Sequence, residues 1–156
     1  RTHHEDADMR LLAIPMLITA VLLSMPGTAI AVQSDEDTAA RKPLEAYLQG
    51  HATGDGAYMR QAFLPTAHIE GIRDGKFLSW TADEYIAGFK GKVADDEAQR
   101  KRSIDSVEVS GNAAMARVTL DYPNGSFTDY FVLLKVDGEW KIANKVWTRA
   151  SKSPAP

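Results

Sequence analysis

Apolar and polar positions change period several times along the chain, and each change marks an element. Leu44, Tyr47, Leu48 and His51 fall at i, i+3, i+4 and i+7, which predicts a helix from Pro43 to about Thr53 with those four side chains on one face. Gly54-Asp55-Gly56 ends it. Asp55 is placed to cap a second, short helix carrying Met59 and Phe63, which Pro65 stops. From His68 to Trp80 the pattern becomes extended around Asp74-Gly75, predicting a β-hairpin. Thr81 and Glu84 have capping-box spacing ahead of Tyr85, Ile86 and Phe89, which starts a third helix ending near Gly91. After a charged connection, Asp95 to Arg102, read as a solvated loop or else a docking patch, four β-runs follow. They are Ser103 to Ser110, Ala113 to Tyr122, Phe127 to Val136 and Glu139 to Arg149, separated by Gly111-Asn112, Asn124-Gly125 and Asp137-Gly138.

Two-residue turns at Asn124-Gly125 and Asp137-Gly138 would oppose Tyr122 to Phe127 and Val136 to Glu139, and alternation then assigns every side chain to a face. One face collects Ala114, Ala116, Val118, Leu120, Tyr122, Phe127, Asp129, Phe131, Leu133, Lys135, Trp140, Ile142, Asn144, Val146 and Thr148. This is the expected core face. The other carries Tyr130, Val132, Leu134 and Trp147 ringed by Arg117, Lys141 and Lys145, a mixture suited to homodimerisation. The expected fold class is α+β: a cone-shaped, curved antiparallel sheet wrapped around three helices of the N-terminal half.

Composition narrows the function classes. With 156 residues, 44% hydrophobic and 25% charged, the chain suits one globular domain. Its 18 basic against 21 acidic residues leave no positive excess for a phosphate backbone, so nucleic acid is excluded as an expected partner. The absence of cysteine removes disulfides, thiolate nucleophiles and Cys-ligated zinc. At the N-terminus, Met9-Arg10 precede the uncharged run Leu11 to Met25, then Pro26, Gly27 and the small-x-small Ala29-Ile30-Ala31. This reads as a cleaved bacterial export signal, with Arg1 to Asp8 as upstream sequence; the run is too short for a stable membrane span. Residues 32–40 are then a loose acidic start, 41–150 the domain and 151–156 a tail, in the periplasm or outside the cell.

Asp129 and Asn144 are the polar side chains in the middle of the expected core face. A carboxylate there would lose hydration, which is the environment of a general acid or base; equally, it would accept a hydrogen bond from a buried hydroxyl such as Tyr47 and hold the helix on the sheet. His51, one turn beyond Tyr47, is a candidate acid, base or ligand donor, and a satisfied rim histidine is the other reading. His68 reads as rim or surface. Trp80, Tyr85 and Phe89 read as core or pocket wall. The histidines lack a metal-ligand spacing, so neither metal nor other cofactor is expected.

The segments Tyr47 to Asp55, Phe63 to Ala67, Gly75-Lys76, Thr128-Asp129-Tyr130, Leu133 to Lys135, Asp137 to Ile142 and Asn144-Lys145 resemble the putative lumazine-binding family of the nuclear transport factor 2-like, or cystatin-like, superfamily. The resemblance spans Arg41 to Trp147. It implies a cone fold that hosts ketosteroid isomerase, cyclases, dehydratases and non-enzymatic modules. Within it, Tyr47 matches the isomerase's oxyanion-hole tyrosine, whereas the general-base aspartate falls on Gly71, beside Glu70. The expected function is an exported domain binding an unknown small molecule through Tyr47, His51, Trp80, Asp129 and Asn144. An isomerase-, cyclase- or dehydratase-type enzyme using Asp129 or His51 with Tyr47, and a non-catalytic dimerisation module with a filled cavity, are the alternatives.

Overall fold

A computed structural model describes residues 27–152, with side chains from Asp35 onward. The residues up to Pro26, which include most of the expected export signal, and the end of the expected tail from Ser153 lie outside the described residues.

Helix α1 spans Gly27–Thr53, so it begins well before the expected start at Pro43 and takes Pro43 into its interior. The acidic start at 34–37, expected to be loose, is helical because it is tied down: Glu36 accepts hydrogen bonds from Lys135 Nζ (2.6 Å) and Trp140 Nε1 (2.9 Å). Leu44 and Tyr47 are fully buried, and Leu48 and His51 half-buried, as the spacing requires. Gly54, in the left-handed region at φ 70°, ends the helix, with its N–H on the Gly50 carbonyl at 2.9 Å. Asp55 caps α2 (Gly56–Ala62) by accepting from the Ala57 N–H. Thr81 and Glu84 form the complete capping box of α3 (Ala82–Ile86), which is shorter than the expected run to Gly91.

Six strands make one sheet: β1 (His68–Arg73), β2 (Lys76–Thr81), β3 (Lys101–Ser110), β4 (Ala113–Tyr122), β5 (Gly125–Val136) and β6 (Glu139–Ser151), in the order β2-β1-β6-β5-β4-β3. The sheet is curved and mixed rather than wholly antiparallel, and the cone is not closed, since β2 and β3 remain edges. The exception is β1 beside β6, which pair in parallel with Ile69 opposite Lys145. The connection after α2 sets that direction, for Phe63 bridges Ile142 in parallel sense and the Leu64 N–H bonds the Ile142 carbonyl at 2.9 Å.

Two local departures decide which side chains face inward. The β4–β5 loop is Pro123-Asn124, with Tyr122 opposite Gly125, instead of Asn124-Gly125. The register moves by two residues, so every β4 and β5 side chain keeps its expected face. Between β5 and β6 the pairing runs as expected from Val136 opposite Glu139 to Leu133 opposite Ile142, and then Val132 faces Asn144. Ala143 is thus an extra residue, a β-bulge, and beyond it the alternation of β6 is inverted. Lys145 and Trp147 point into the core, 4% and 7% exposed, while Val146 points out. The expectation that Asn144, Val146 and Thr148 face the core and that Lys145 and Trp147 belong to the outer face is overturned by this one bulge. Trp147 is accordingly removed from the expected dimer surface.

The charged connection is not a simple solvated loop. Arg102 Nη1 and Nη2 hold Glu97 at 2.6 and 2.7 Å, its Nε donates to Tyr122 Oη at 3.2 Å, and Nη2 reaches the His51 carbonyl at the end of α1 (3.4 Å). One guanidinium thereby joins β3 and β4 to the helix end.

Candidate functional site

The sheet's inner face and the helices enclose a cavity of about 410 Å³, within the size range of small-ligand pockets. Arg73, Glu84 and Gly88, all exposed, mark the mouth; Tyr47, Asp129 and Lys145, all buried, mark the deep end.

Three elements supply that deep end. Tyr47 descends from α1 because it lies on the buried stripe with Leu44, Asp129 projects inward from β5, and Lys145 does so from β6 only because of the Ala143 bulge. Lys145 Nζ donates to Tyr47 Oη at 2.8 Å, and Tyr47 Oη donates to Asp129 Oδ2 at 2.6 Å. The ammonium also lies 3.4 Å from Asp129 Oδ2, closing an ion pair. The hydrogen bond from the helix to the sheet is the contact expected if Asp129 holds α1 in place. Lys145 Nζ additionally lies over the rings of Tyr47 (4.9 Å) and Tyr85 (5.1 Å), which shield the charge from water.

His51 lines the same cavity, edge-on to Tyr47 and Phe89, with Nε2 3.0 Å from Tyr85 Oη. Burial, reinforced by the cationic Lys145, Arg102 and Arg100, holds its pKa well below the ordinary value, so the imidazole is neutral at neutral pH. Burial, followed by the charge of Asp129, raises the Tyr47 phenol well above its usual value. Burial likewise raises Tyr85. Both hydroxyls therefore remain protonated donors.

The aromatic part of the wall is formed by Trp80 and Trp147, parallel within 9° at a centroid distance of 6.2 Å, with Phe127 tilted against Trp147. Trp147 lies flat on Gly71, where any Cβ would overlap the indole. The position matched to the isomerase's general base is thus covered by a ring. Glu70 points away from it and accepts from Ser79 Oγ at 3.2 Å.

Of the expected site residues, Tyr47, His51, Trp80 and Asp129 line one cavity. Asn144 does not, because the bulge turns it outward, where its Oδ1 accepts the His68 N–H at 2.9 Å. Tyr85 and Phe89, read as core or pocket wall, line the cavity too, whereas Lys145 and Trp147 were missed. A signal for the last existed in the sequence: without a bulge β6 would turn Asn144 and Thr148 inward and a tryptophan outward, a pattern that one extra residue corrects. Among the described residues no group of three or more His, Cys, Asp or Glu side chains could hold a metal ion.

Residues 35–148 match the family described as "Putative lumazine-binding". Among solved structures, a nuclear transport factor 2-like protein of unknown function from Silicibacter pomeroyi is 26% identical, with a TM-score of 0.67 over 76% of this chain and 98% of that one. A second such protein, from Shewanella baltica, is 28% identical, with a TM-score of 0.66 over 76% and 95%. A ketosteroid isomerase-like protein from Erwinia carotovora atroseptica shares the fold at 16% identity, with a TM-score of 0.59 over 76% of this chain and 98% of that one. Aldolase FrzH from Cladobotryum sp is 23% identical over 118 residues, 74% of this chain and 93% of that protein.

Proposed function

Because the chain belongs to the putative lumazine-binding family, within the nuclear transport factor 2-like superfamily, we propose that it is an exported small-molecule-binding domain. Its ligand is a flat, largely apolar molecule with one polar end. The observation that carries this reading is the division of the cavity: parallel Trp80 and Trp147 in the aromatic wall, and Tyr47, Asp129 and Lys145 as a closed polar cluster at the deep end. The rings supply area at little entropic cost, and the cluster fixes orientation. Export rests on the run Leu11 to Met25 with Ala29-Ile30-Ala31.

Titration with lumazine, flavins, pterins and other flat aromatic compounds, followed by tryptophan fluorescence and melting temperature, tests the reading. Quenching with a rise in Tm is expected, and Trp80→Ala should weaken both. If no such compound moves either signal, the reading fails.

A second reading, acid–base catalysis of the isomerase, cyclase or dehydratase type, is supported by the neutral His51 and by the Tyr47–Asp129 contact in the same cavity. Homodimerisation is proposed through the outer face. Tyr130 and Val146 pair across β5 and β6 there, beside Met115, Val132 and Leu134, all five between 41% and 59% exposed.

A further inference from the structure

Lysines are rarely buried, because desolvating an ammonium costs several kcal/mol. Lys145 is 4% exposed, yet it lies against a cavity instead of solid packing. Its partners form a directed chain: Nζ donates to Tyr47 Oη, and Tyr47 Oη donates to Asp129 Oδ2. A proton leaving the ammonium can therefore pass to Asp129 without leaving a charge on the phenol, since Tyr47 gains one proton as it gives up another. The ammonium also lies 3.4 Å from Asp129 Oδ2, so the acceptor carboxylate adjoins both ends of the chain. We propose that Lys145 is a nucleophilic amine that forms an imine with an aldehyde or ketone bound in the cavity, a proposal that rests on the small-molecule-binding reading and names the chemical class of the ligand's polar end.

The step balances. Relay of one proton from Nζ through Tyr47 to Asp129 leaves a neutral amine and a neutral acid. The amine lone pair forms a C–N bond to the carbonyl carbon, the C=O π pair moves to oxygen, and transfer of one N–H proton to that oxygen gives the carbinolamine. Asp129 then returns its proton through Tyr47 to the carbinolamine hydroxyl. The C–O bond breaks, water leaves, and the nitrogen lone pair forms C=N. The net change converts ammonium plus carbonyl into iminium plus water, and the iminium cation takes the ammonium's place beside the Asp129 carboxylate, 3.4 Å away in the free protein. No oxidant, reductant or metal is required. The rings of Tyr47, Tyr85 and Phe131 lie 4.9, 5.1 and 6.0 Å from Nζ and give the imine an apolar surround.

The probe is 2-naphthaldehyde, which carries a flat aromatic body and one carbonyl, used with sodium cyanoborohydride to reduce any iminium to a stable secondary amine. Intact mass should rise by that of the aldehyde less one oxygen atom, and peptide mapping should place the adduct on Lys145. 2-Naphthalenemethanol, which lacks the carbonyl, should quench tryptophan fluorescence without adding mass and should compete with the labelling. Lys145→Arg should lose the site-specific adduct while a cooperative melting transition shows that it is folded. Tyr47→Phe, which breaks the relay, should slow labelling at saturating aldehyde by about 100-fold. If the alcohol and the aldehyde bind and the adduct falls only on exposed lysines such as Lys76 and Lys101, imine formation at Lys145 is overturned and the binding reading stands. If neither compound nor any other flat aromatic binds, the binding reading fails and takes the imine with it.

Discussion

Neighbouring residues on β5 and β6 point to opposite sides of one sheet, and the two sides break opposite rules. On the inner side Asp129 and Lys145 are 1% and 4% exposed; on the outer side their sequence neighbours Tyr130 and Val146 are 50% and 46% exposed. Burying an ion pair gains little over an apolar pair of the same volume, and a contiguous exposed apolar patch invites association. A sheet shaped by stability alone would exchange the two sets. The inner side therefore has the character of a site and the outer side that of an interface, and substitutions on the two sides should fail in different ways.

The largest effect is expected on the inner side. Lys145→Met takes the cation from the buried Asp129 carboxylate and leaves it beside the Tyr47 hydroxyl, and should cost about 3–5 kcal/mol in chemical denaturation. The double variant Lys145→Met, Asp129→Asn should recover most of that loss, because no uncompensated charge remains. Equal losses in the single and double variants would mean that packing, not charge, links the three side chains. Gly71→Val comes next. Its side chain would enter the space of the Trp147 indole, so a loss of about 1–3 kcal/mol is expected, with a changed tryptophan emission because the ring must move. An unchanged spectrum would detach Trp147 from Gly71.

The third effect depends on pH. His51 titrates well below its ordinary value in the folded protein, because burial disfavours the charged ring. The unfolded chain therefore binds the extra proton first, and the stability this histidine contributes is present above pH about 6.5 and is lost as pH falls through the folded value. Urea unfolding between pH 7 and 5 should show stability falling by up to about 1.4 kcal/mol per pH unit, and His51→Gln should flatten that part of the curve. The carboxylates held low by hydrogen bonds, Glu36, Glu84, Glu97 and Asp105, lose their contributions at lower pH and do not obscure the window. A slope that persists in His51→Gln would assign it elsewhere.

Much of this arrangement was legible in the chain because a β-register has only two parities. The loop at Pro123-Asn124 displaced β5 by two residues, and every inward side chain from Ala114 to Leu133 stayed inward. The bulge at Ala143 displaced β6 by one, and the same reasoning then exchanged Asn144 for Lys145 and sent Trp147 to the wrong side. Alanine carries no local mark of a bulge, unlike the Gly or Asn that marks a turn, so only the phase of the pattern beyond it recorded the inversion. Helix caps at Asp55 and Thr81 were legible because their hydrogen bonds are local. The early start of α1 was not, since it depends on Glu36 meeting Lys135 and Trp140 about a hundred residues away.

The outer side should show the smallest effect on stability and the clearest effect on association. Val132 and Val146 are each 46% exposed on the outer face, so Val132→Glu with Val146→Glu should change the stability of the isolated chain by less than about 0.5 kcal/mol. Arg117 lies opposite Tyr130 on β4, so a single new carboxylate has a cation within reach, and two are needed to leave repulsion between copies. Sedimentation velocity should find the unsubstituted protein as a dimer and the double variant as a monomer, with ligand-induced tryptophan quenching unchanged because the cavity opens on the other side of the sheet. A monomer in both cases would remove the interface and leave the exposed apolar residues as ordinary surface. A dimer in both would move the interface to another part of the molecule.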